Sequence, residues 1–138
     1  MKVTLITVGK VKEPYVGVDA HYRKMLGHHQ PVEVIEVRDE MNIEGRIPAR
    51  SHLVGLDRGG RSMSSRAWAA WLSERRIDAQ DICFVIGGPR GLPDEVVKRC
   101  AERISFGPQT MAHQLARVAL LEQLFRATKI IAREPYHL

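Results

Sequence analysis

The chain has little cysteine and no long apolar run. Only two cysteines, Cys83 and Cys100, occur among 138 residues, which is typical of reduced core thiols and not of a disulfide framework. No apolar stretch approaches the ~20 residues needed to span a bilayer. The opening segment 1–8 is too short and too β-branched for the apolar region of a signal peptide. We therefore expect a cytoplasmic protein without a membrane segment.

The sequence also lacks the motifs of zinc sites and of nucleotide-phosphate sites. Its six histidines form no Cys/His spacing of the zinc kind, so we predict no metal. The glycine-rich segment 87–91 lacks both the G-x-G-x-x-G spacing and a P-loop lysine, and Pro89 removes a backbone donor from a would-be phosphate cradle. Such a loop suits a neutral or cationic ligand and argues against a regulatory domain that binds nucleoside phosphates.

What the chain does contain is an ordinary globular composition with an excess of positive charge. It is 44% apolar and 27% charged, with a formal net charge of +5, and its pI is near 9.6. This balance favours a polyanionic partner, because a Lys or Arg that meets a phosphate releases condensed counterions. The basic residues fall into three groups, and a solvated helix face is the alternative explanation for each. The groups are Arg58, Arg61 and Arg66; Lys98, Arg99 and Arg103; and Arg126, Lys129 and Arg133.

Strand-like and helix-like patterns alternate along the chain. This alternation predicts an α/β fold in a single domain, 1–138, with a mainly parallel sheet and helices on both faces. The strands are predicted at 3–8, 32–37, 51–56, 82–86 and 104–106, and the helices at 14–26, from 66 onward, 92–100 and 113–127, with one or two helical turns between 39 and 50.

Two helices carry specific expectations about burial. Trp68, Trp71 and Leu72 share one helix face and are predicted to be core residues. The helix at 113–127 is apolar almost all round in its middle, so the sheet alone does not cover it. A second subunit would cover the remaining side, and we expect a homodimer.

Three glycine-bearing segments follow predicted strands: 56–60, 87–91 and 106–111. The carboxyl ends of parallel strands meet at one edge of a sheet, where ligands bind. Each segment alone is more simply a turn. Together they predict a composite pocket.

The motifs of nearly the whole chain resemble those of the small bacterial RlmH family of SPOUT methyltransferases. The resemblance rests on the opening 3–9, Leu56-Asp57 with Met63-Ser64-Ser65, Val85-Ile86-Gly87-Gly88, the segments 113–117 and 122–127, and Pro135-Tyr136-His137. It implies a C-terminal trefoil knot, S-adenosyl-L-methionine as cofactor, and methylation of N3 of a pseudouridine in 23S ribosomal RNA on the assembled ribosome. A SPOUT methyltransferase acting on transfer RNA and a non-catalytic RNA- or ribosome-binding module remain alternatives.

The resemblance also assigns candidate residues by position. Cofactor contacts fall on Leu56, Gly87, Phe106, Gly107, Pro108, Gln109, Thr110 and Met111. His113 and Arg117, one turn apart at a helix start, are candidates to hold a phosphate or orient the target base, with helix capping or an interface role as the alternative.

The C-terminal pair Tyr136 and His137 is predicted to meet the extruded base, and a dimer would deliver this tail to the partner's cofactor. A frayed terminus is the alternative. Both residues are weak catalytic candidates, and the catalytic base stays unassigned.

The sequence departs from the family pattern at four places. Ala112 stands where a proline usually precedes the histidine, and Gly107-Pro108 replaces a more serine-like stretch. Phe125 replaces a common tyrosine, and Leu138 ends the chain where a basic residue is frequent. The changes at Ala112 and Pro108 are interpreted as a proline that has moved within the same loop and still stiffens it. The missing basic residue at position 138 weakens the expected RNA contact of the tail.

Overall fold

A five-stranded parallel sheet forms the centre of the fold. The computed structural model describes residues 1–137, so Leu138, the fourth departure above, lies outside the described residues. The strand order is β2-β1-β4-β3-β5, and every neighbouring pair is parallel. The strands are β1 (Val3–Val8), β2 (Val32–Val37), β3 (His52–Ser62), β4 (Ile82–Ile86) and β5 (Glu102–Ser105).

Three helices and two short 3₁₀ turns connect the strands, and a fourth helix follows the last strand. The turns, Glu40–Asn42 and Glu44–Arg46, occupy the polar stretch for which one or two helical turns were predicted. The predicted serine cap is present, since the Ser64 hydroxyl accepts the Ala67 N–H at 3.1 Å, and this satisfies one of the free donors of the first turn. The helices are α1 (Val16–Leu26), α2 (Ser65–Asp78), α3 (Asp94–Arg99) and α4 (His113–Ala132).

The sheet is covered on both faces, which confirms the predicted layers. Successive strand residues point to opposite sides, so Leu5 belongs to one apolar cluster and Ile6 to the other. The larger cluster contains Trp68, Trp71, Leu120 and Leu124 from α2 and α4. The smaller cluster contains Ile43 from the connection between the two turns and Val96 from α3. The tryptophans are core residues, as predicted.

Strand β3 is longer than the sequence predicted. A stop was expected at 57–60, but the strand continues to Ser62, and its pairing with β5 changes register between Leu56 and Arg61. Gly60 makes this possible, because a Cβ there would lie 2.6 Å from the backbone of Arg103 and Ile104. The prediction of a simple turn after Leu56 was wrong, since close backbone approach to β5 keeps the glycine-rich segment in the sheet.

The two thiols are free and unreactive. Cys83 is fully buried in β4, and burial raises the pKa of its thiol to about 12. Burial also raises the pKa of Cys100. Both therefore stay protonated near neutral pH, as expected for core cysteines.

Candidate active site

A cavity of about 520 Å³ opens at the carboxyl edge of the sheet. The middle of β3 and the loops that follow β4 and β5 line it, so the three predicted segments meet in one composite pocket. Of the eight residues assigned to the cofactor, only Pro108 does not line the cavity, although it belongs to the same loop. The lining residues are Leu56, Asp57, Arg58, Ile86, Gly87, Gly88, Pro89, Gly91, Leu92, Phe106, Gly107, Gln109, Thr110, Met111, Ala112, His113 and Ala116.

The loop after β4 is folded tightly on itself. A Cβ at Gly87 would lie 2.3 Å from the carbonyl carbon of Gly91. The Gly91 N–H donates to the Gly88 carbonyl at 2.9 Å, and Gly91 has a φ of +76°, which favours glycine. The missing side chain of Gly87 thus makes room for the loop's own backbone, and the loop presents a closed wall to the cavity.

The loop after β5 is held by a buried serine. The Ser105 hydroxyl accepts the Gly107 N–H at 2.9 Å and lies 2.7 Å from the Gly107 carbonyl. Gly107 has a φ of +122°, where a side chain would be strained. Ser105 is 4% exposed, so its hydrogen bonds fix the direction in which residues 107–111 leave the sheet. The sequence reasoning missed this residue, because a serine at the end of a strand carries no distinctive pattern.

Aromatic packing supports the apolar floor of the cavity. The Phe106 ring stacks on Trp68, with ring centroids 6.2 Å apart and an interplanar angle of 22°. Trp68 packs in turn against Trp71 and Phe84 of the core. The floor is therefore continuous with the core and rigid, as a binding surface for a flat ring requires.

Two charged side chains on β3 border the cavity, and the sequence reasoning gave neither a specific role. Asp57 accepts from Arg103 at 2.6 Å, so this carboxylate is neutralised by β5. Arg58 reaches the opposite loop, where it donates to the Thr110 hydroxyl at 2.9 Å. Both belong to segment 56–60, which was predicted to help form the composite pocket.

His113 and Arg117 have different surroundings. His113 is the first residue of α4 and lines the cavity. Arg117 is 2% exposed and donates to both carboxylate oxygens of Asp19, at 2.7 and 3.1 Å, and to Glu36 at 2.7 Å. Two carboxylates thus engage its guanidinium, which favours the alternative of a structural role, and an RNA contact of Arg117 stays a prediction.

The Arg117 network shifts the ionisation of its members. Burial opposes charge on Glu36, but hydrogen bonds from Arg117 and from the Val11 N–H outweigh it and lower the pKa of that carboxyl. Burial likewise opposes charge on Arg117, while Asp19 and Glu36 raise its pKa above the usual range. Glu36 and Arg117 are therefore both charged at neutral pH.

The C-terminal tail is packed and not frayed. The Tyr136 ring meets Phe125 edge-on at 4.8 Å, and its hydroxyl lies 3.3 Å from that of Tyr22. Arg126 lies over the Tyr136 ring and donates to Nδ1 of His137 at 3.0 Å. Burial and the hydrogen bond to Tyr22 raise the pKa of Tyr136, so it stays a neutral phenol and is a poor proton acceptor.

Most of the three predicted basic groups are neutralised by carboxylates. Arg61 pairs with Glu102 at 3.0 Å, and Arg103 with Asp57. Within residues 1–137, Arg58 and Arg66 of the first group form no such pair. The remaining pairs are Lys98 with Glu95, Arg99 with Glu44, Arg126 with Glu122 and Lys129 with Glu134.

Over the described part of the chain, residues 1–137, no group of three or more His, Cys, Asp or Glu side chains could hold a metal ion. In the same residues, no helix is long and apolar enough to cross a membrane.

Comparison with protein families matches residues 1–137 to the family described as "Predicted SPOUT methyltransferase". The chain is similar to proteins named "Ribosomal RNA large subunit methyltransferase H". It is 39% identical to the one from Carboxydothermus hydrogenoformans and 38% identical to one from Listeria monocytogenes, each over 159 aligned positions that cover 99% of both chains.

Solved structures share the fold at much lower sequence identity. A probable methylase family protein from Haemophilus influenzae superimposes with a TM-score of 0.58 at 16% identity, over 99% of this chain and 70% of that one. The SpoU methyltransferase AviRb from Streptomyces viridochromogenes, solved in complex with AdoMet, gives a TM-score of 0.50 at 13% identity, over 91% and 57%.

Proposed function

This chain belongs to the SPOUT methyltransferase family and is an S-adenosylmethionine-dependent methyltransferase of ribosomal RNA; we propose that its target is N3 of a pseudouridine in 23S ribosomal RNA, reached on the assembled ribosome. The cavity carries the proposal, because three sequence-distant segments enclose it at the sheet edge where parallel folds bind ligands. Relatives named as large-subunit methyltransferases support the RNA class.

The cavity fits the cofactor in size and chemistry. Its floor of Leu56, Ile86 and Phe106 is apolar, which suits an adenine ring. Pro89 leaves the loop after β4 short of the amide donors that a phosphate requires, and the cofactor has no phosphate. We propose that Leu56, Gly87 and residues 106–111 hold it. When bound, it supplies a methyl group on a sulfonium centre for transfer to a nucleophile.

The chain's own contribution to the reaction is positioning and exclusion of water. The Ser105 turn and the closed Gly87 loop hold the walls before any ligand arrives, so little ordering is left for the reactive complex. The target nitrogen must lose a proton as it attacks, and the raised pKa of Tyr136 disfavours that residue as acceptor. His113, which lines the cavity, is proposed as the RNA contact nearest the reacting atoms.

We further propose that the enzyme is a homodimer formed through α4 and α1. Leu115 is 44% exposed on α4, and Val16 and Val18 on α1 are 39% and 37% exposed. Leu115, Val118 and Ala119 share one stripe beside Val18 in a shallow groove, whereas Leu120, Leu121 and Leu124 of α4 are buried in the core. A second copy would cover this apolar stripe.

Dimerisation would also explain the position of the tail. Tyr136 packs on Phe125, which lies about 18 Å along the helix axis from His113 at 1.5 Å per residue. The tail is therefore remote from the cavity of its own chain. We propose that Tyr136 and His137 serve the cavity of the partner. The trefoil knot implied by the family and the cytoplasmic location expected from the sequence remain predictions.

The deciding experiment follows transfer of a tritiated methyl group from S-adenosylmethionine to assembled ribosomes, free ribosomal RNA or transfer RNA, with digestion to nucleosides. The expected product is N3-methylpseudouridine in 23S RNA, with ribosomes the best substrate. Label on transfer RNA alone would contradict the proposal. Absence of binding heat on calorimetric titration with the cofactor would support a non-catalytic RNA-binding module instead.

A further inference from the structure

A group of unpaired cations surrounds the cavity mouth. Lys10, Lys12, Arg58 and Arg90 form none of the ion pairs found among residues 1–137. All four are exposed. Other unpaired cations, such as Lys24 and Arg50, lie away from the cavity and allow a comparison by position.

Hydrogen bonds hold the segments that carry these cations against the cavity walls. The Gln114 side chain donates to the Lys10 carbonyl at 3.1 Å and accepts the Lys12 N–H at 2.7 Å, which fixes this loop beside the cavity residue His113. Arg90 lies between the lining residues Pro89 and Gly91. The cations thus come from two strand-end loops and from β3, and they surround one opening.

The start of α4 adds positive potential at the same place. This 20-residue helix begins at His113, and no side chain caps its first turn. Its free N–H groups therefore face the region of the cavity and favour an anion.

We infer that Lys10, Lys12, Arg58 and Arg90 form the phosphate-contacting rim that receives the target RNA, with its backbone crossing the cavity mouth. The inference rests on the proposed function, since it assumes that the nucleophile enters this cavity from an RNA chain. Exposed, unpaired cations at fixed positions suit a polyphosphate backbone, because each contact releases counterions. The rim would position the RNA without reading its sequence.

The test compares two variants of equal charge. The first, Lys10→Gln with Lys12→Gln and Arg90→Gln, removes three rim cations and leaves out Arg58, which lines the cavity itself. The matched control, Lys24→Gln with Arg50→Gln and Lys98→Gln, removes three exposed cations from the ends of α1 and α3 and from the start of β3, at the opposite edge of the sheet.

Binding to purified ribosomes is measured across a series of salt concentrations, and cofactor binding is measured by calorimetry. We expect the rim variant to lose about one unit of slope per removed contact in a plot of log affinity against log salt, about three in all. The control variant should keep the wild-type slope, and both should bind S-adenosylmethionine like the wild type.

A rim variant with the wild-type slope, or a control variant with the same loss, would overturn the inference. The proposed function fails differently, namely if the wild-type protein transfers no methyl group to ribosomal RNA. Binding is measured without turnover, so the two failures are distinguishable.

Discussion

Helix α4 is held in two different ways at its two ends. Near its start, Arg117 is buried between Asp19 and Glu36, and this end borders the cavity. Near its far end, Phe125 and Tyr136 pack as aromatic rings, with half-buried Arg126 over the tyrosine. Buried charge pairs define one geometry and are costly to break, whereas the partly exposed Tyr136 and Arg126 lie on top of the buried Phe125 and are easier to rearrange. We therefore expect the start of α4 to keep a fixed position beside the cavity, and the far end, with the C-terminal tail, to adapt when a partner subunit binds.

The largest expected effect comes from a test of whether the cavity and the C-terminal tail, at the two ends of α4, act within the same subunit. Gly87→Val disrupts the cavity wall, and Tyr136→Ala with His137→Ala removes the tail, so each variant alone should be inactive. Dimers mixed from equal amounts should regain about a quarter of wild-type methyl transfer, because half are mixed and each has one intact composite site. If the tail serves its own cavity, mixing restores nothing. Leu115→Asp, expected to give monomers by sedimentation, should abolish the rescue.

The second test concerns stability. Arg117→Ala leaves two carboxylates without their buried partner and should lower the free energy of unfolding by about 3–5 kcal/mol. Arg126→Ala, which breaks a half-exposed pair with Glu122, should cost about 1 kcal/mol or less. Urea unfolding followed by circular dichroism measures both. Should Arg117→Ala fail to fold, Arg117→Lys serves in its place and should show a clear loss, because lysine cannot bind Asp19 through two nitrogens. If both substitutions lowered the free energy of unfolding by the same amount, the difference between the two ends of α4 would be refuted.

The smallest expected effect is on acid stability. The pKa of Glu36 is lowered in the folded state, so its contribution is present above the unfolded pKa of about 4.3 and is lost as the pH falls through the lower folded value. Glu36→Gln should therefore flatten the loss of stability below pH 5, in low and in high salt. The hydrogen bond from Lys129 lowers the pKa of the exposed Glu134 at the other end, and Glu134→Gln should act only in low salt. If salt changed the acid stability of the Glu36→Gln and Glu134→Gln variants in the same way, the distinction between a carboxylate bound by the buried Arg117 and the exposed Glu134 would be contradicted.

The sequence predicted elements best where local patterns were strong. Strand β4 and the serine cap at Ser64 were placed correctly, and so was the convergence of the strand-end loops, which follows from parallel topology alone. Strand β3 was cut short because Gly59 and Gly60 locally resemble a turn, and only their approach to β5 keeps them extended.

Arg117 was a candidate RNA contact because the family resemblance and the positive potential of a helix start pointed to it, with a capping or interface role as the alternative. Its partners Asp19 and Glu36 lie 98 and 81 positions away in the chain, and no local pattern reveals such pairing. The same holds for Ser105, whose role depends on a turn defined by the following glycine. Tertiary burial, and not residue type, decided these roles.

The lining of the cavity begins at Leu56 and ends at Ala116, so the first fifty residues contribute none of its surface. They act as scaffolding: Asp19 and Glu36 anchor α4, and the loop at Lys10 receives Gln114. His113 and Ala116 of α4 belong to the lining, so any shift of the helix on its Asp19 and Glu36 anchors would change the shape of the cavity. A fluorescent ligand in the cavity would therefore report how firmly a distant part of the chain holds this helix.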